Sequence, residues 1–244
     1  MSHKKKFIFV IIIFICLIGI ISISKVSNAK KVNTEKHVVD NKDLNPIVPE
    51  KKENPWDKYY KNNVDLKSVR EKYDNYEIVA ELYVPDLFDV YIANHGDNDY
   101  YLDHNLYRKY DIKGAEYMDY RVNVHSRQIN IYGHNSQTFN IPFRKLEKML
   151  KKDFFDSHPY MILSYDEGEA VYEVISVKEV STDHEHMKVN VDNMKDHIDH
   201  LKKDSIYTRD VEYDENSNIL VLQTCSFAHK NHYYVFTAVE IDKK

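Results

Sequence analysis

The sequence predicts a mostly β protein whose mostly antiparallel sheet closes as a barrel, and three observations carry that expectation. Short apolar stretches of period two recur through the second half of the chain, helical periods are few, and strands and helices do not alternate regularly. Composition agrees: 20 Tyr and 10 Phe supply large side chains that suit a pleated, half-buried surface. An apolar fraction of 43% with only 5 Gly and 6 Pro argues against a disordered or fibrous chain.

The elements follow in order. Lys4, Lys5 and Lys6 precede residues 7–23, an uncharged run in which only Gly19 and Ser22 fall outside the strongly apolar set. As a helix that run would rise roughly 25 Å, within the spanning range of a bilayer, with the lysines held inside. The expectation is a cytoplasmic tip and single-pass anchor over 1–25, a cell-membrane localisation and an extracellular catalytic domain. A cleaved leader is the alternative, because Ser27-Asn28-Ala29 offers a small-residue cleavage pattern. Residues 26–55 are polar, carry Pro46, Pro49 and Pro55, and read as an extracellular stalk before a domain over 56–244.

Within that domain Trp56, Leu66, Val69 and Tyr73 recur at near-helical spacing and predict a helix over 56–74. Strands are predicted over 78–84, 88–92, 115–120, 128–132, 160–165, 170–180, 205–208, 219–224 and 233–241. Pro142 opens a short helix carrying Phe143, Leu146 and Met149, and Met194, Ile198 and Leu201 mark a second amphipathic one.

Charge and cysteine usage narrow the chemistry. The net charge of −5, with both signs interspersed, gives no basic stripe to neutralise a phosphate backbone, so nucleic acid is not an expected partner. Cys16 lies in the apolar run, leaving Cys225 alone in the domain without an internal disulfide partner. An unpaired thiol outside the cytoplasm is either well buried or kept for chemistry. Ile219-Leu220-Val221-Leu222 delivers it to a strand end, and Gly133 delivers His134 likewise.

An imidazole beside that sulfur could stabilise a thiolate and protonate a leaving amine, and the Ser226 backbone N–H is a candidate oxyanion donor. Taken from the residues alone, this is weak evidence: a lone cysteine at a strand end is an inert core thiol half the time or more, and a Gly-His pair is more often simply a turn. The pairs His184/His186, His197/His200 and His229/His232 lack the cysteine or carboxylate spacing of a metal site, so no metal or cofactor is called for.

Four segments occur in order: Asn98-Asp99-Tyr100-Tyr101-Leu102, Gly114-Ala115-Glu116-Tyr117-Met118-Asp119-Tyr120-Arg121, Asn130-Ile131-Tyr132-Gly133-His134-Asn135, and Leu222-Gln223-Thr224-Cys225. Together they resemble the motifs of class B sortases, the cysteine transpeptidases of Gram-positive cell surfaces, over roughly residues 56–242. The resemblance implies a closed eight-stranded sortase-type barrel with an N-terminal helical extension and short peripheral helices. It also implies Cys225 as nucleophile and His134 as general acid/base.

The implied reaction cleaves a C-terminal sorting motif of a secreted protein after its threonine. The acyl group then passes through a thioester to a peptidoglycan-precursor or other protein amine. The family arginine position, eight residues past the cysteine, holds Tyr233, and Arg209 is the candidate substitute. A sortase-fold surface binding protein with weak or no catalysis is the second reading.

Overall fold

The computed structural model describes residues 53–62, 64–181 and 184–244. Lys52–Lys244 clusters as one compact unit. The expected tip, anchor and most of the stalk lie outside the described residues. The membrane localisation read from 7–23 is corrected accordingly: among the described residues no helix is long and apolar enough to cross a membrane.

The helix expected over 56–74 is a 3₁₀ turn, Asp57–Tyr59, and a shorter helix, α1, Leu66–Tyr73. The Asp65 carboxylate caps α1 by accepting the Ser68 N–H at 3.0 Å. Asp74 ends it in the left-handed region, its N–H turned back to the Arg70 and Glu71 carbonyls. The segment before α1 is tied to the far end of the chain, since Trp56 Nε1 donates to Asp242 at 2.8 Å.

Nine strands follow: β1 Ile78–Val84, β2 Phe88–Ala93, β3 Tyr117–Met118, β4 Gln128–Tyr132, β5 Tyr160–Tyr165, β6 Gly168–Val180, β7 Tyr207–Thr208, β8 Ile219–Cys225 and β9 Tyr233–Lys243. Eight close a ring in the order β5-β1-β2-β3-β4-β8-β9-β6, with β6 pairing back to β5; the two-residue β7 is added on β6. The short helix after Pro142 is a 3₁₀ segment, Phe143–Leu150, continued by α2, Lys152–Ser157. The second amphipathic helix is α3, Met194–Lys202.

The pairing is mostly antiparallel, as expected, with two exceptions. β2 pairs β3 and β4 pairs β8 in parallel, so the barrel is mixed. The β4–β8 pair sets Tyr132 opposite Gln223, residues joined through β5, β6, α3 and β7, and local pattern carries no sign of such a long crossover.

Both faces of β8 are covered, which is why Ile219-Leu220-Val221-Leu222 reads as an unbroken apolar run. Leu220 and Leu222 point into the barrel with Ile129, Ile131, Met118, Phe143 and Phe236. Ile219 and Val221 point outward beneath Met194, Ile198 and Leu201 of α3. Burying each such side chain contributes about 1.5 to 3 kcal/mol. This double burial fixes the height of β8 in the wall and hence of the cysteine at its end.

Candidate active site

Alternation beyond the buried run decides where each polar side chain points. Gln223 and Cys225 continue the outward set of β8, Tyr132 and His134 the outward set of β4, and Tyr233 lies with the outward residues of β9. Cys225 pairs with Tyr233 across β8/β9. Two residues beyond the Tyr132/Gln223 pair, the parallel register brings His134 beside Cys225. Hydrogen bonds hold the continuation, with Thr224 Oγ1 donating to the Gly133 carbonyl at 2.8 Å and Asn135 Nδ2 to the Cys225 carbonyl at 2.8 Å. His134, Cys225 and Tyr233 therefore form one row across three strands on the outer face.

Beside this row lies a cavity of about 540 Å³ lined by Arg121, His184, Met187, Lys188, Gln223 and Tyr233. Arg121 is fixed there by Asp119, with Nε to Oδ1 at 2.8 Å and Nη2 to Oδ2 at 2.6 Å, and by the Met187 carbonyl at 3.0 Å. Burial would raise the Asp119 carboxyl, but hydrogen bonds from Arg121 and Tyr132 outweigh it and hold the carboxyl below the ordinary range.

The cysteine reaches the surface, yet the protein packed around its sulfur pushes the thiol above the usual thiol range. His134 is half-buried, and its Nε2 lies 2.6 Å from the Leu102 carbonyl. A carbonyl only accepts, so Nε2 is the donor in this contact. Gly114, at φ +61, allows this approach: a Cβ there would meet the Tyr101 and Leu102 carbonyl oxygens and would lie 3.1 Å from His134 Cδ2.

The chain matches no family model. It is 33% identical over 159 residues to sortase B of Listeria monocytogenes, an alignment covering 62% of this chain and 63% of that protein. The chain thus spans somewhat less than two thirds of that curated relative. Clostridium perfringens sortase B superposes with a TM-score of 0.67 at 24% identity, covering 72% of this chain and 100% of that one. A Staphylococcus aureus sortase B–substrate complex superposes with a TM-score of 0.66 at 23% identity, covering 72% of this chain and 84% of that one.

The chain is similar to class B sortases in sequence and in fold. Its eight-stranded ring is the sortase barrel, as the sequence resemblance implied.

Against that family frame, two expected site residues are elsewhere engaged. Arg209 follows β7, where its Nη1 donates to the Val174 carbonyl and its Nη2 to the Phe155 carbonyl, while Nε lies 3.7 Å from Glu173 and the guanidinium covers the Phe155 ring at 4.5 Å. Its backbone N–H bonds to Ile175, whereas the register partner of Tyr233 on β6 is Val180. Five residues of strand separate the two levels, about 17 Å. Arg209 is a structural clamp and no substitute for the missing arginine.

The Ser226 N–H is likewise occupied, donating to the His232 carbonyl at 2.8 Å as the β8/β9 ladder continues past the strand end. The Ser226 hydroxyl donates to Glu179 at 2.5 Å. Sequence reasoning passed over Asn135 and Tyr117. Asn135 stood within a quoted motif, and its short polar side chain directly after the histidine was the available signal. Tyr117 stood within another of those motifs, and nothing local set it apart from its neighbours.

Proposed function

We propose that the chain is a sortase-type cysteine transpeptidase in which Cys225 attacks the carbonyl of a sorting motif and His134 serves as general acid/base. The row of His134, Cys225 and Tyr233 beside a peptide-sized cleft carries this reading. The thiol proton passes to the imidazole as sulfur bonds to carbon. The same proton is delivered to the leaving amine when the C–N bond breaks, leaving a Cys225 thioester. An incoming amine resolves the thioester and restores the thiol.

Tyr233 stands where the family places arginine, and its hydroxyl can donate one hydrogen bond in place of a charged fork. The acyl donor is a secreted protein bearing a C-terminal sorting motif, and the acceptor is a cell-wall precursor or other protein amine. The domain over 56–244 carries the activity.

The test incubates the protein with peptides carrying candidate motifs, with and without an amine acceptor, and looks by mass spectrometry for acyl-Cys225 and transfer product. Both should appear, and both should vanish in Cys225→Ala. A folded, reduced protein that forms no thioester across a broad motif set would instead support a binding role. The absence of an arginine from the His134–Cys225–Tyr233 row favours that second reading. Hydrolysis that added amine does not divert would indicate a protease.

A further inference from the structure

Every step of that reaction places negative charge on the substrate carbonyl oxygen, and most groups around Cys225 that could receive it are spent. The Ser226 N–H is bonded to His232, Arg209 is clamped to Val174 and Phe155, and both hydrogens of Asn135 Nδ2 are taken by Glu147 and the Cys225 carbonyl. Tyr117 is differently placed. It pairs with Tyr132 across β3/β4, and Tyr132 pairs with Gln223 across β4/β8. Tyr117, Tyr132 and Gln223 thus form the neighbouring row on the same outer face.

The Tyr117 ring is only 6% exposed, packed 5.4 Å from the Tyr132 ring in a cluster that Met187 of the cleft wall also touches. Among the described residues its hydroxyl has no hydrogen-bond partner, and it is not sealed off like the partnerless Tyr60 and Tyr165 hydroxyls. A polar atom that stays unpartnered on a nearly buried ring beside a cleft is available to a ligand. Burial above all, then Asp99, Asp119 and the Cys225 sulfur, raise the phenol well above its ordinary range. The group therefore keeps its proton and has an O–H to donate, and the sulfur lies within its electrostatic reach.

We propose that the Tyr117 hydroxyl donates the hydrogen bond that stabilises the substrate oxyanion during Cys225 acylation. As the Sγ–C bond forms, the carbonyl π pair moves to oxygen and Tyr117 Oη–H bonds to it. The tetrahedral adduct collapses when that pair returns, the C–N bond breaks and His134 protonates the amine. Tyr117 ends each turnover still protonated. This rests on the transpeptidase reading above.

The experiment compares full-length wild type, Tyr117→Phe and Tyr233→Phe on a quenched fluorescent peptide set with threonine before the scissile bond. Cys225 alkylation by iodoacetamide is measured alongside. Tyr117→Phe should lower kcat about 100-fold, with KM, alkylation rate and thermal midpoint unchanged. Wild-type kcat in Tyr117→Phe, or the whole loss appearing in Tyr233→Phe alone, overturns the proposal. Should Tyr117→Phe melt lower, site-specific 3-fluorotyrosine at 117 keeps the packing and sharpens the donor: kcat at or above wild type is expected, and a fall overturns it. A wild type that is alkylated normally but never acylated defeats the transpeptidase reading itself, and the donor role with it.

Discussion

Asn135 donates its side-chain amide to the main-chain carbonyl of Cys225 at 2.8 Å, so the residue following the candidate histidine holds the residue that carries the thiol. The same Nδ2 donates to Glu147 at 2.6 Å, which ties the pair to the 3₁₀ segment beneath. Asn135→Ala would leave a carbonyl and a carboxylate short of a donor. We expect a loss of about 1 to 3 kcal/mol in urea unfolding and a roughly 10-fold lower acylation rate. Wild-type values in both measurements would mean that water replaces the amide without cost.

Gly133 is required by a close approach. A Cβ there would stand 2.6 Å from Cγ and Cδ2 of Phe143, a ring wholly buried in the barrel core, and 3.1 Å from Glu116 Cγ. The ring cannot retreat, so Gly133→Ala should destabilise by about 1 to 3 kcal/mol and displace His134. A thermal melt together with acylation kinetics reads both effects, and an unshifted melt would show that the strand end gives way freely.

Arg209 makes the opposite prediction. Its guanidinium satisfies the Val174 and Phe155 carbonyls, so Arg209→Ala should cost roughly 2 kcal/mol in unfolding. Acylation kcat and KM of the folded fraction should match wild type. A kcat loss without destabilisation would return Arg209 to the mechanism.

Glu116 sets a slope of stability with pH. Burial pushes its carboxyl from 4.5 up to about 7, although N–H groups of its own residue and Phe143 oppose the shift. The folded state keeps the proton that the unfolded chain releases above 4.5, so raising pH over that window favours unfolding. Stability should therefore fall as pH rises from 4.5 towards 7 and level off beyond. Glu116→Gln should flatten that part of the curve and be the more stable protein at pH 8, by ~1 to 3 kcal/mol. Superimposable curves for the two proteins would count against it.

The raised Cys225 thiol predicts a slow resting nucleophile. Iodoacetamide alkylation of the free protein should show a midpoint above that of an ordinary thiol, because the thiolate is desolvated and His134 Nε2 is turned to Leu102. A midpoint below 7 would instead reveal a preformed thiolate–imidazolium pair.

Much of the barrel was legible because strands with a buried face alternate. The predicted 78–84, 128–132 and 160–165 strands coincide with β1, β4 and β5, and 219–224 falls one residue short of β8. The 56–74 helix was overdrawn, since apolar spacing marks which residues touch the core and not where Asp65 caps the backbone. Tyr117 was invisible as one of 20 tyrosines, its place depending on two successive strand pairings. Arg209 misled because nearness to the cysteine strand in sequence says nothing of height on the barrel wall.

By itself the sequence determined most strand positions, the mostly β class and two candidate side chains, His134 just past β4 and Cys225 at the end of β8, since alternation and residue chemistry are local properties. Only the tertiary structure decided that these strands run side by side in parallel, that their outward faces share one cleft, and which donors around Cys225 are already occupied. Those outcomes depend on pairing between segments far apart in the chain, where register is set by how buried faces fit together and leaves no mark on either segment alone.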